Sequence, residues 1–239
     1  MINLYLTPIL IMPSFGTPQI KLLEKLCNVI AVSGDEGAVR AIVLDEIREY
    51  ADDVRVDALG NVLAIKRGRG TKRVRVMLDA HMDEVGFMIV ADEGEGIYAF
   101  ETVGGIDARH LVGKQIYVGK ERIAGVIGGK PVHLMESNER TRKVPIDALR
   151  IDLGVAGKAK TGDRAVFATK FRRVGPSIMS KAIDNRIGVA TLIELFKHAP
   201  ANIVLCAAFT VQEEIGLRGA KVAAHYFNPD LAIVIDSGE

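Results

Sequence analysis

The run Ile203-Val-Leu-Cys-Ala-Ala-Phe-Thr-Val211 constrains this chain most, because it has no polar face to turn toward water. A strand of that kind is buried on both sides, as in the sheets of α/β proteins. It delivers two consecutive carboxylates, Glu213 and Glu214, with Gly216 and Gly219 following in what reads as the first turn of a helix. Ligands of open α/β sheets bind at the carboxyl ends of strands, so charges placed there deserve a search for companions. Two further apolar runs supply them. Arg73–Leu78 leads into Asp79-Ala-His81-Met-Asp83-Glu84, and Leu231–Ile235 leads into Asp236. Asp184 stands just ahead of a helix-period stretch, Ile187–Lys197.

Composition narrows the function classes. The formal net charge of +1 gives no electrostatic case for nucleic acid or an anionic membrane. A hydrophobic fraction of 49% and a charged fraction of 26% are ordinary for a globular chain with a sizeable core. Cys27 and Cys206 are far apart, and Cys206 lies mid-strand, so both read as buried thiols suited to a reducing cytoplasm. The apolar start, Met1–Met12, is interrupted by Pro8 and lacks a basic leader, and a bilayer span takes about 20 apolar residues. Residues 1–16 are therefore expected to be a disordered extension, with Met12 a candidate start.

Helical patterning begins at Thr17 with Ile20, Leu22, Leu23, Leu26, Cys27 and Ile30 on one stripe, and a second helix carries Val39, Ile42, Val43, Leu44 and Ile47. Residues 53–66 alternate as a hairpin with its turn at Asp57–Asn61. From Val85 to about Val174 the pattern changes to short β-type runs between Gly- and charge-rich turns, the spacing of a small barrel or sandwich. βα alternation resumes at Ser177, with a helix over 185–198, a strand over 203–211, a helix over 217–227 and a strand over 231–235. The expected architecture is an α/β catalytic domain, residues 17–84 and 175–239, interrupted by an inserted β domain, residues 85–174. Basic residues of the insert, among them Lys120, Arg122, Arg140, Arg142 and Lys143, read as a solvated face. His110 and His133 have no acidic or Cys cluster nearby and read as structural or surface residues.

The residues at the strand ends carry the chemistry. His81 and Asp83 are two apart, which puts both side chains on one face, and a carboxylate behind a histidine is the usual support of a metal ligand. Asp184 alone would be an N-cap, Glu213 and Glu214 alone would be acids at a helix N-terminus, and Asp236 alone would be a common strand ending. Together they are the composition of a metal site, since adjacent carboxylates need compensating charge. One Glu can ligate while its neighbour carries a proton between an activated water and a leaving group. Mixed imidazole and carboxylate donors suit Zn, Co or Mn.

Ala80-His-Met-Asp-Glu-Val-Gly86, Lys181-Ala-Ile-Asp-Asn-Arg186, Val211–Ala220 and Ile235-Asp236 resemble the motifs of the dimetal aminopeptidases that assemble as tetrahedral dodecamers, a group that includes glutamyl and deblocking aminopeptidases. The likeness runs from about Pro18 to the C-terminus. It implies a phosphorylase/hydrolase-like sheet sandwiched by helices, with an inserted small β-barrel serving dimerisation and assembly. It also implies hydrolysis of N-terminal residues from peptides through a metal-bound hydroxide, using two divalent ions, Zn or Co. His81 and Glu214 would hold one ion, Asp184 would bridge, and Asp236 would hold the other. Glu213 would be the general base, Asp83 would orient His81, and the Asp184–Asn185 peptide would be cis. Peptide substrates and a homo-oligomer built from dimers are the implied partners, with neither nucleic acid nor membrane. The family pattern includes a further His ligand well beyond the last metal-binding Asp, whereas this sequence stops at Glu239 and places His198 and His225 in helices. The resemblance thus implies a chain truncated at its C-terminus, with one metal site incomplete and activity weak or absent.

Two rival readings follow. A glucanase would need two carboxylates flanking a sugar and usually aromatic platforms, whereas the chain has no Trp and 5% aromatics. A non-catalytic metal-binding or assembly subunit would form oligomers without turnover.

Overall fold

The computed structural model describes residues 16–69, 73–130, 133, 136 and 144–237. Residues 1–15 of the expected extension and the basic residues Arg140, Arg142 and Lys143 lie outside the described residues. Helices α1 (Thr17–Asn28) and α2 (Gly37–Ile47) come first, then a hairpin of β1 (Asp53–Val56) and β2 (Val62–Arg67), and β3 (Val74–His81). Pro18 enters the first turn of α1, where its missing N–H costs nothing.

After β3 the chain builds a closed barrel of β4 (Gly86–Gly94), β5 (Ile97–Val103), β6 (Gln115–Val118), β7 (Ile123–Gly128), β8 (Arg150–Asp152) and β9 (Arg164–Phe167), in the order β4-β5-β8-β7-β6-β9. Its interior is filled by Phe87, Phe100, Leu111, Ile116, Ile127 and Ile151 among others. Phe87 packs edge-on against both Phe100 and Phe167, with ring centroids 5.3 and 5.2 Å apart. A small hairpin, β10 (Arg172–Val174) with β11 (Ser177–Met179), leads back to α3 (Ile183–Lys197), β12 (Ile203–Thr210), α4 (Arg218–Phe227) and β13 (Leu231–Val234).

The main sheet runs β1-β2-β12-β3-β13, with β3 parallel to both β12 and β13 and β2 antiparallel to β12. Period-two geometry explains the unbroken apolar run. Leu205, Ala207, Phe209 and Val211 belong to the core formed with α1, α2 and α3, while Cys206 and Ala208 turn the other way, toward Ala223 and Phe227 of α4. Both thiols are buried and free. No helix among the described residues is long and apolar enough to cross a membrane.

Two features depart from the sequence reading. The strand expected over 73–78 runs on through His81, because its parallel ladder with β12 continues to the Thr210–His81 pair. β5 has no counterpart in the sequence reading, since Gly94, Glu95 and Gly96 make the region look like turn alone; it pairs with β4 along most of its length. At the sheet edge lies β13, apolar and uncovered, with Leu231, Ile233 and Val234 between 46 and 63% accessible. The stretch from Val144 to Leu149 forms a single 3-10 turn over Ile146–Ala148.

Candidate metal centre

Four segments converge at the carboxyl ends of β3, β12 and β13. His81 is the last residue of β3 and is only 4% exposed, with its Nε2 turned toward acids contributed by other elements. That nitrogen lies 3.2 Å from Asp184 Oδ1, 3.7 Å from Asp236 Oδ1 and 4.0 Å from Glu213 Oε2. Its other nitrogen, Nδ1, faces Asp83 Oδ1 at 3.4 Å. Two donor sets result: His81 with Asp184 and Asp236, and His81 with Glu213 and Glu214, each with ligand atoms within 4.8 Å of one another. The structure thus gathers His81, Asp83, Asp184, Glu213, Glu214 and Asp236 at one rim.

Asp184 begins the first turn of α3 in a non-helical conformation, and its peptide bond to Asn185 is cis. The Asn185 side chain secures this turn, donating from Nδ2 to the Ile235 carbonyl at 2.8 Å and accepting the Gly188 N–H at 3.1 Å. The start of α3 is thereby joined to the residue preceding Asp236.

Asp83 is fully buried and organises the opposite side. Its Oδ1 accepts the Glu213 N–H at 3.0 Å, and its Oδ2 accepts the Glu214 N–H at 3.2 Å and the Ser33 hydroxyl at 2.6 Å. Burial alone would raise its pKa, but these hydrogen bonds and the His81 ring lower it overall. The same partnership acts on His81. Burial disfavours the charged ring, yet Asp83 and the charges of Glu213 and Asp236 lift its pKa to about 9. Burial raises the pKa of Glu213, and it raises that of Glu214 to about 7, where Asp184, Asp83 and Glu213 add to the effect and His81 opposes it. A site that disfavours ionisation of its own carboxyls in this way is short of positive charge.

Several supporting residues carried no local signal. Asn61 accepts the Val211 N–H at 3.0 Å and donates to the Gly219 carbonyl at 3.2 Å, closing the loop that bears Glu213 and Glu214 at both ends. Gly219 must lack a side chain, since a Cβ there would stand 2.4 Å from Asn61 Oδ1. Glu36 accepts the Gln212 N–H at 3.2 Å. Beneath the site, Glu84 binds Lys181 Nζ at 2.7 Å and Arg186 Nη2 at 2.9 Å, all three buried, and Arg186 Nη1 also donates to the Met82 carbonyl. Burial lowers the Lys181 pKa. Asp79, 5% exposed on the same face of β3 as His81, has Oδ1 buried without a hydrogen-bond partner, and burial raises its pKa to about 6. The only cue for Ser33 was its place in a loop of capping residues, and Asn61 had none beyond its turn.

Comparison with known proteins identifies the family. Residues 60–239 match the M42 glutamyl aminopeptidase family. The chain is 35% identical over 222 residues to a putative aminopeptidase of Acetivibrio thermocellus, covering 90% of this chain and 64% of the relative, and 33% identical over 233 residues to the glutamyl aminopeptidase of Lactococcus lactis subsp. cremoris, covering 90% and 65%. Among solved structures, an aminopeptidase from the archaeon Desulfurococcus kamchatkensis superposes with a TM-score of 0.85 at 31% identity, over 92% of this chain and 63% of that one. The TET1 peptidase of Pyrococcus horikoshii, described as able to assemble into a tetrahedron or a large octahedral shell, gives a TM-score of 0.79 at 36% identity, over 91% of this chain and 68% of that one. The chain spans 59 to 65% of the length of the curated aminopeptidase relatives that it matches along 86 to 91% of its own. On the family match and these likenesses together, the chain belongs to the M42 glutamyl aminopeptidase family.

Proposed function

We propose that this protein is a metal-dependent aminopeptidase that hydrolyses N-terminal residues from peptides. The observation that carries the reading is the convergence of one buried imidazole, His81, with Asp184, Glu213, Glu214 and Asp236. This donor set fits hard or borderline divalent ions, Zn or Co among them. Two such ions are proposed, with Asp184 shared between them. The 3.2 and 3.7 Å separations favour His81, Asp184 and Asp236 around one ion and Glu214 at the other. This differs from the pairing of His81 with Glu214 that the resemblance implies; the second donor set contains that pair together with Glu213, the proposed base.

When bound, the ions would supply Lewis-acid polarisation and increase the acidity of water. The chain's own residues do the rest. Glu213 is the proposed general base, half-buried, with a pKa raised by burial, so that it can accept a proton and return it to the departing amine. Asp83 holds the His81 ring through Nδ1 and leaves Nε2 directed into the site. The same Asp83 fixes the backbone of Glu213 and Glu214. Assembly into dimers and larger shells, with the barrel as a contact surface, is part of the proposal; the Pyrococcus horikoshii TET1 peptidase, which can assemble into a tetrahedron or a large octahedral shell, supports the assembly.

The test is mass spectrometry of a free-amine peptide and its N-acetylated twin, incubated with the purified protein and Zn or Co. Stepwise loss of N-terminal residues from the free peptide alone, abolished by EDTA, is expected. Cleavage insensitive to EDTA, or equal on the acetylated twin, would overturn the reading.

A further inference from the structure

The barrel touches the metal centre at one glycine. β5 ends at Val103, paired with Gly86 at the start of β4, and Gly104 follows. Gly104 has φ +90, and a Cβ built there would lie 2.8 Å from Val85 Cγ1 and 3.2 Å from the Cβ of Glu214. Its neighbour Gly105 has a φ outside the left-handed range and open space around it, with nothing within 4 Å. The two adjacent glycines therefore have different surroundings. A side chain on Gly104 would meet Val85 and Glu214, whereas one on Gly105 would meet open space.

Glu214 occupies the space that a side chain on Gly104 would enter. Its backbone is held by Asp83, and among the described residues no hydrogen bond to its carboxylate holds the side chain in place. Val85 follows directly on Glu84, which closes a short circuit from His81 through the end of β3, across the β4–β5 ladder, and back to the site at Glu214.

We propose that Gly104 is a positioning residue of the metal centre, whose missing side chain leaves the barrel room to pass beside Glu214. Bare backbone at this point lets Glu214 keep its place near His81. A side chain would strain the left-handed conformation, meet Val85 and press on Glu214. The inference rests on the metal-binding role proposed above for Glu214.

The test compares Gly104→Ala, Gly105→Ala and Glu214→Ala, and the double variant Gly104→Ala/Glu214→Ala, by calorimetric titration with Zn and by the visible spectrum of the Co-loaded protein. Gly104→Ala should weaken metal binding 10- to 100-fold and alter the Co spectrum, the range typical when a residue behind a ligand is changed. Gly105→Ala should match wild type. In the Glu214→Ala background, adding Gly104→Ala should cause no further loss, since its effect passes through Glu214. If the new methyl prevents folding, Val85→Ala/Gly104→Ala removes the tighter clash and leaves the contact with Glu214 to be read. Equal affinity in Gly104→Ala and Gly105→Ala would overturn the proposal, as would an undiminished Gly104→Ala loss in the Glu214→Ala background. Metal uptake by Glu214→Ala indistinguishable from wild type would instead overturn the role of Glu214, and the role of Gly104 with it.

Discussion

Asp83 and Glu213 are joined by a 3.0 Å hydrogen bond from the Glu213 backbone N–H to Asp83 Oδ1, the same oxygen that lies 3.4 Å from His81 Nδ1. One buried carboxylate thus couples the end of β3 to the loop after β12. Orientation of the histidine and placement of the proposed base depend on the same atoms.

Replacing Asp83 should therefore damage two things together. Asp83→Ala removes the support of His81 and orphans the N–H groups of Glu213 and Glu214. We expect metal affinity to fall 10- to 100-fold, and stability to drop by about 1.5–3 kcal/mol for each charged hydrogen bond lost. Isothermal titration and urea unfolding measure the two effects, and an unchanged affinity would remove Asp83 from its supporting role.

Glu213→Gln separates chemistry from metal binding. The amide preserves shape but cannot take up a proton. Hydrolysis should fall by about 100-fold or more while the bound metal, determined by elemental analysis, stays at the wild-type level. Retained turnover would exclude Glu213 as the base.

The buried Glu84–Lys181–Arg186 cluster should behave as a structural brace. Glu84→Ala leaves two cations, Lys181 and Arg186, without their shared partner. Breaking a buried ion pair by removing one side costs on the order of 3–5 kcal/mol. Urea denaturation that shows a loss below about 1 kcal/mol would contradict this.

Asp79 should oppose folding of the metal-free protein at neutral pH. Its folded pKa of about 6 lies above the ordinary 3.8, so the protonated form is favoured in the folded state. Its contribution is fully present below the ordinary value and is lost as pH rises through about 6. Asp79→Asn should consequently stabilise the metal-free protein at pH 7–8 by up to roughly 3 kcal/mol, with little gain near pH 4. Thermal melts across that range check the sign, and a gain larger at low pH would contradict it.

Metal uptake should strengthen with pH. The metal-free His81 ring, with a pKa raised to about 9, must give up its proton to ligate, and so must a Glu214 carboxyl raised to about 7. Affinity is expected to climb from pH 6 toward 9, with protons released on binding. Titrations in buffers of different ionisation enthalpy count those protons.

The sheet and the rim were readable because burial leaves a periodic trace. Ile203–Val211 had to be buried on both faces, and the charges at the ends of the apolar runs had to sit where those strands emerge. The exposure of β13 is set by its place rather than its make-up, since Leu231–Val234 is as apolar as a central strand and lies at the sheet edge. Composition reports what a residue prefers, whereas neighbours decide what it receives. The supports of the site were hidden for a different reason. Ser33 meets Asp83, Asn61 meets Val211, and Lys181 meets Glu84 only once the chain has folded, so no local pattern marks them. Gly104 is likewise one glycine among many in the sequence, distinguished only by what a side chain there would meet in the fold.

The central claim is that His81 and the surrounding carboxylates hold divalent metal, and a Co titration of the wild-type protein beside Asp184→Asn tests it most directly. The account predicts saturable uptake with a ligand-field spectrum in wild type, and a marked loss in Asp184→Asn, whose carboxylate is proposed to serve both ions. Equal uptake and identical spectra in the two proteins would contradict it.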